Sequence, residues 1–237
     1  MGSENPFEPP RADVPTPFAS PEVLTVRDAW ASAARLLAEL PLPTAVFMLL
    51  TFIASLTPAP ARLAVMLAAG ALIQPFELEL WAAHLRGRRP DQGRALARLP
   101  MAFAMSLILA TLIGLGLLLL LVPGVYLMIR FAFVACFIVL DGQGWSALAA
   151  SHDLARGRGW TILGITAPTF LLGAAMRISS AATEENTVLT TAVLAVEALV
   201  QVWVGAALTV LFLALSRHRR SWAPASVSAL RTPAAPR

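Results

Sequence analysis

The chain has no lysine, one cysteine, one tyrosine and three histidines, and little charge of either sign. Charged residues fill 14% of its 237 positions, where a soluble domain carries about 25%. Each scarcity excludes something. The single cysteine, Cys136, lies inside an apolar run, so neither an intrachain disulfide nor a thiolate metal site can form. His84, His152 and His218 stand in separate segments without ligand-like spacing, so no metal is expected. No glycine-rich phosphate loop follows a strand. Ser151, His152 and Asp153 carry the letters of a catalytic triad, but consecutive residues on a helix point about 100° apart and cannot line up as nucleophile, base and orienter. The expectation is a protein without enzymatic activity and without a cofactor. All 18 basic residues are arginine, and they sit in short segments between apolar runs, forming no groove or stripe; nucleic acid is therefore not an expected partner.

Hydrophobic residues make up 57% of the chain and the mean hydropathy is +0.71. The lipid bilayer is the expected surrounding, and the fold class is all-α: an integral membrane bundle of about six transmembrane helices. At about 20 apolar residues per crossing, the stretch from Pro41 to Ser216 accommodates spans at 42–57, 62–83, 99–121, 124–140, 159–177 and 188–216. The uncharged run from Leu99 to Ile129 is too long for one ordinary crossing, and Pro123-Gly124 inside it predicts a tight outer turn between the third and fourth spans. Residues 1–20 and 219–237, rich in proline or in alanine, proline and serine, read as flexible tails flanking a membrane domain at 21–218. The first apolar run begins near residue 41, so no cleavable signal peptide is expected.

With the N-terminus inside, every arginine but Arg62, Arg130 and Arg177 falls on the cytoplasmic side, which satisfies the positive-inside rule and places the protein in a bacterial inner membrane with both termini cytoplasmic. Trp81, Trp145, Trp160 and Trp222 cluster at the same boundary, as an aromatic belt would. Ser20 as N-cap, Pro21 at the first position and Glu22 in the first turn predict an amphipathic helix over 21–40. Its apolar face (Val23, Trp30, Leu37) suits the membrane interface, the alternative being packing on the bundle. A second short helix, between spans four and five, is expected to set Trp145, Leu148, Ala149 and His152 on one side.

From Leu121 to Gly164 the chain carries Pro123 and Gly124, then Tyr126 and Arg130, then Asp141 and Gly142, then a short helix with Ser151 leading into Leu154, Ala155, Arg156 and Gly157, then Trp160. This segment resembles the membrane domain joined to some bacterial glycerophosphodiester phosphodiesterases, and stand-alone six-helix inner-membrane proteins of unassigned function. The resemblance implies a structural or accessory role, for instance docking a membrane-associated enzyme. The residues outside the apolar runs are too few to hold a phosphodiesterase domain, so no hydrolase activity is expected. The other function class is a small transporter or channel for a solute, ion or lipid, with Pro75 and Pro168 interrupting the second helix of each half.

Ionisable residues within apolar helices are the natural candidates for a site. Arg130 and Glu197 have similar depth and opposite charge, and Gln201 lies one turn beyond Glu197; together they form a candidate intramembrane polar pair. Glu77 and Glu79 are expected to snorkel or pair locally near the cytoplasmic end of span two. Arg86, Arg88, Arg89, Arg156 and Arg158 are candidate contacts for lipid headgroups. Ala102, Ser106, Ala110 and Gly114 form a smooth face on span three, suited to close packing inside the chain or to a homo-oligomer seam.

Overall fold

The computed structural model describes residues 25–57, 59–182 and 187–221, and among them all regular structure is helical. The elements are α1 (Val26–Glu39), α2 (Pro41–Ser55), α3 (Ala59–Leu85), α4 (Gln92–Leu119), α5 (Leu121–Phe131), α6 (Val134–Asp141), α7 (Ser146–Ala155), α8 (Gly159–Ala182) and α9 (Thr187–Ser221). Three stretches are long and apolar enough to cross a membrane: Gln92–Leu119, Leu121–Asp141, which joins α5 and α6, and Thr191–Arg217. Residues Val26–Glu39 and Pro41–Ala54 add a fourth if counted as one span, although they meet at 103°. The protein is thus an all-helical chain with the long apolar helices of a membrane bundle.

Ser20, Pro21, Glu22, Val23 and Trp222 lie outside the described residues. The cap of α1 is Thr25, whose hydroxyl accepts from the Asp28 N–H at 3.2 Å while Asp28 accepts from the Thr25 N–H at 3.0 Å. The Thr25 hydroxyl also donates to this carboxyl, and these bonds hold Asp28 below the usual carboxylate range. Ala29, Ala33, Leu36 and Leu37 recur at helical spacing and are buried, with α1 packed on α9 and α8. Trp30 meets Trp203 edge-on with ring centroids 5.3 Å apart, and the Trp203 indole N–H donates to the Trp30 carbonyl at 3.2 Å. Of the two placements expected for this helix, the structure takes packing on the bundle. Its apolar stripe is covered by protein, whereas Arg27 and Asp28 on the other side stay exposed.

The turn expected at Pro123-Gly124 falls earlier. Leu120 alone is extended (φ −154°, ψ 124°), and Pro123 sits in the first turn of α5, where its missing N–H would have no intrahelical partner anyway. Gly124 serves a different purpose. It lets α5 press against α4, since a Cβ there would meet the Leu117 nitrogen at 2.5 Å, and one on Gly116 would meet the Gly124 Cα at 2.9 Å. Gly124→Ala is therefore expected to pry the hairpin open, with an overpacking cost of about 1 to 3 kcal/mol, read as a lower melting temperature in detergent. A variant as stable as the parent would show that the two helices do not need this approach. The small-residue face of α4 is used only in part: Ala102 is buried, but a Cβ on Gly114 would meet nothing within 4 Å.

Between α5 and α6 the helix breaks at Ala132 and Phe133. Ser151 of α7, fully buried, closes the gap: its hydroxyl donates to the Arg130 carbonyl at 2.9 Å and accepts from the Phe133 N–H at 3.2 Å. Thus the buried side of α7 is Ala147, Ser151 and Ala155, spaced by four. The side bearing Trp145, Leu148, Ala149 and His152, which the sequence set together, is the more exposed one, and the contact with α5 and α6 is made by a hydroxyl between small neighbours. At the far end of α6, Gly142 takes the left-handed conformation (φ 70°) and Arg98 of α4 donates to the Val139 carbonyl, sealing the helix terminus.

Candidate functional site

The expected site residues part company in the structure. Arg130 directs its guanidinium to the His152 carbonyl at 3.4 Å and lies 5.0 Å from the centre of the Tyr126 ring, on the side of α5 that meets α7. Glu197 on α9 accepts from the Gln201 side-chain amide at 3.4 Å. Among the ion pairs of the described residues there is none between Arg130 and Glu197. Equal depth was the ground for joining them, but α5 packs chiefly on α4 and α7, and the rotation of each helix about its axis sends the two side chains to different neighbours.

The basic loop between α3 and α4 is likewise spent internally. Arg88 folds back onto Glu79, whose side chain is completely buried, through bonds of 2.6 and 3.0 Å, and the Asp91 N–H donates to the same carboxylate at 3.0 Å. Hydrogen bonding to Glu79 raises the Arg88 pKa further above its ordinary value. Arg88 is therefore a clamp on α3 and is withdrawn from the set of headgroup contacts, while Arg89 and Arg156 stand exposed and Arg158 is half-buried. His84 and Glu39 approach to 2.8 Å, tying the end of α3 to the end of α1. Trp145 and Trp160 are 65% and 85% exposed, as a belt requires, but Trp81 is fully buried and leaves it.

Trp81 instead borders a cavity of about 300 Å³ lined from α2, α3, α4, α6 and α9, with Gly70 and Gln74 exposed at its open side. Its polar lining comes from Thr51, Gln74, Glu77, Trp81, Ser106 and Gln201, the last two being residues already singled out for other reasons. On α3, Gln74, Glu77 and Trp81 follow at spacings of three and four, so one helical face delivers all three. Glu77 makes no hydrogen bond or ion pair among the described residues, and the buried Trp81 indole N–H has no acceptor among them. Against it, Phe47 packs edge-on at 6.3 Å and a Cβ on Gly205 would come within 3.2 Å of the ring, so the indole is held in place.

One helix break borders the same space, and a proline lies close by in α3. Pro75 lies inside α3 and has no N–H for the carbonyl of Ala71, a cavity residue. Ala132, at the break held by Ser151, lines the opposite wall beside Cys136. The sequence had paired Pro75 with Pro168; neither proline is among the lining residues, although Gln74 beside Pro75 is. The grouping could have been sought in the spacing of Gln74, Glu77 and Trp81, but nothing in the chain announces that α9 brings Gln201 to meet them. Among the described residues no cluster of three or more histidine, cysteine, aspartate or glutamate side chains could hold a metal. No family model, no curated protein and no solved structure matches the chain.

Proposed function

We propose that the protein is a non-enzymatic multi-pass protein of the bacterial inner membrane, crossing it six times with both termini cytoplasmic, and that its bundle cavity holds a small polar solute on a transport route. The observation that carries this reading is the cavity itself, with the Glu77 carboxyl and the Trp81 indole N–H uncommitted among the described residues of an otherwise apolar bundle. Polar groups inside membrane helices are costly, and most are paired or line a solute pathway. The helix break at Ala132 borders the cavity, and Pro75 within the continuous α3 deprives the Ala71 carbonyl of its usual helical donor, features of the kind found around transporter sites.

The test is water access. Gly70 lies at the exposed edge of the cavity and a Cβ there would stand in open space, so Gly70→Cys in a Cys136→Ala background places a thiol at the cavity mouth without crowding. A neutral hydrophilic methanethiosulfonate is expected to label it in membranes, as it labels an exposed control, Ser146→Cys. Labelling of the control alone would mean a dry bundle and would remove this reading.

An accessory or docking role, the one implied by the resemblance over 121–164, is the second reading. It is favoured by the open end of the α4 small-residue face at Gly114, which has room for a helix of a partner protein or of a second copy. A stoichiometric partner copurifying in mild detergent, lost on Gly114→Leu, would support it.

A further inference from the structure

We infer that the cavity selects a small protonated amine carrying an apolar body, with Glu77 as its counter-charge; this rests on the reading of the cavity as a solute site. Among the described residues the wall offers one acidic side chain and no arginine, lysine or histidine, so its formal charge is negative. Every other polar side chain named there is neutral, and all but Trp81 can accept a hydrogen bond. Gln201 gives one amide N–H to Glu197 and lines the cavity with the same side-chain amide group available for further bonds. Gln74 contributes another amide, and the carbonyl of Ala71 has lost its usual donor to Pro75.

An ammonium group brings up to three N–H donors and a positive charge, which is the complement of this set. The rest of the wall, including Ile73, Leu78, Val202 and Leu208, is apolar and suits a hydrocarbon portion better than a hydration shell. The volume, about 300 Å³, lies at the small end of ligand pockets, so the amine is small. An anion would face Glu77 with nothing to offset it, and a neutral alcohol could donate one hydrogen bond to the carboxylate but would leave its charge uncompensated. The Trp81 indole N–H, a fixed donor without an acceptor among the described residues, fits a ligand that also carries an oxygen.

The experiment uses the full chain in membranes with Gly70→Cys and Cys136→Ala. Aminoethyl methanethiosulfonate, itself a small protonated amine, and the anionic sulfonatoethyl reagent are compared, each rate being divided by its rate at the Ser146→Cys control. The normalised preference for the cationic reagent is expected to reach about tenfold or more through focusing of the negative potential. It should fall to near unity in Glu77→Gln, a change that breaks no bond among the described residues. Benzylammonium should protect the Gly70→Cys thiol when Glu77 is present and not in Glu77→Gln, and benzyl alcohol in neither. Equal normalised rates, or a preference that survives Glu77→Gln, would overturn the amine assignment while leaving a wet cavity. Failure of the neutral reagent as well would overturn both. Protection by sodium chloride equal to that by benzylammonium would overturn the assignment in favour of a metal cation.

Discussion

Replacing Arg88 by methionine is expected to cost about 2 to 4 kcal/mol of stability, because it strands the wholly buried carboxylate of Glu79. The value lies toward the lower part of the range for buried ion pairs for two reasons. Arg88 keeps 28% of its side-chain surface exposed, and the Asp91 N–H would still donate to Glu79. Glu79→Leu alone leaves the arginine able to turn outward to water and should cost less. Combining the two should recover part of the loss, since two apolar side chains of similar size remove both the attraction and the desolvation cost. The readout is the apparent melting temperature of the detergent-solubilised protein. If Arg88→Met melts with the parent, the fold does not depend on the clamp, and the loop from Arg86 to Asp91 would be free to serve headgroups as its sequence suggested.

The second large effect is expected at Ser151. Its hydroxyl is the donor for the Arg130 carbonyl and the acceptor for the Phe133 N–H, so Ser151→Ala leaves two backbone groups unmatched in a buried break. Each stranded group costs about 1 to 3 kcal/mol. The position is enclosed, so water cannot simply replace the oxygen: Ser151 itself is 0% exposed, and Phe133 and Val134 are buried beside it. Two outcomes are open to the helix, and both can be measured. Either melting drops by the sum of those costs, or α5 and α6 straighten, shifting Ala132 at the cavity wall and changing the labelling rate of Gly70→Cys. A variant with the parent's melting temperature and the parent's labelling rate would show that the hydroxyl is not what holds the break. Ser151 thus acquires a role that its neighbours His152 and Asp153 do not share, and it is a structural one.

The residues that were read correctly and those that were not differ in a consistent way. The expected spans fall largely on helix, but 42–57 runs into a turn at Leu56, 99–121 is broken at Leu120 and 124–140 at Ala132 and Phe133; the interruption near residue 120 was anticipated within a few residues, because apolar runs and proline act locally. The amphipathic pattern of α1 was visible, but whether lipid or protein covers it depends on α9 bringing Trp203 to Trp30, separated by 173 positions in the chain. The charges were harder. Glu77 and Glu79 are two residues apart and were read alike, yet one faces the cavity and the other is clamped by Arg88. On a helix, two positions differ by about 200° of rotation, so the same short segment serves two environments. Trp81 looked like a belt residue by position, and its burial against Phe47 and Gly205 follows from neighbours that no local pattern names.

By itself the sequence determined that the chain forms helices, several of them long and apolar enough to cross a membrane, and which few polar residues must be accounted for. Hydropathy accumulates residue by residue along a chain, and that is enough to set a membrane class. Only the tertiary structure decided which polar groups meet: Arg130 with the His152 carbonyl and not with Glu197, Arg88 with Glu79, Ser151 with the break between α5 and α6, and Gln74, Glu77, Trp81 and Gln201 around one cavity. The reason is geometric. A pairing across helices depends on their rotation and lateral neighbours, set by close contacts such as Gly116 on Gly124 and Trp203 on Trp30, and in a largely apolar chain many rotations satisfy hydropathy equally while one satisfies the hydrogen bonds.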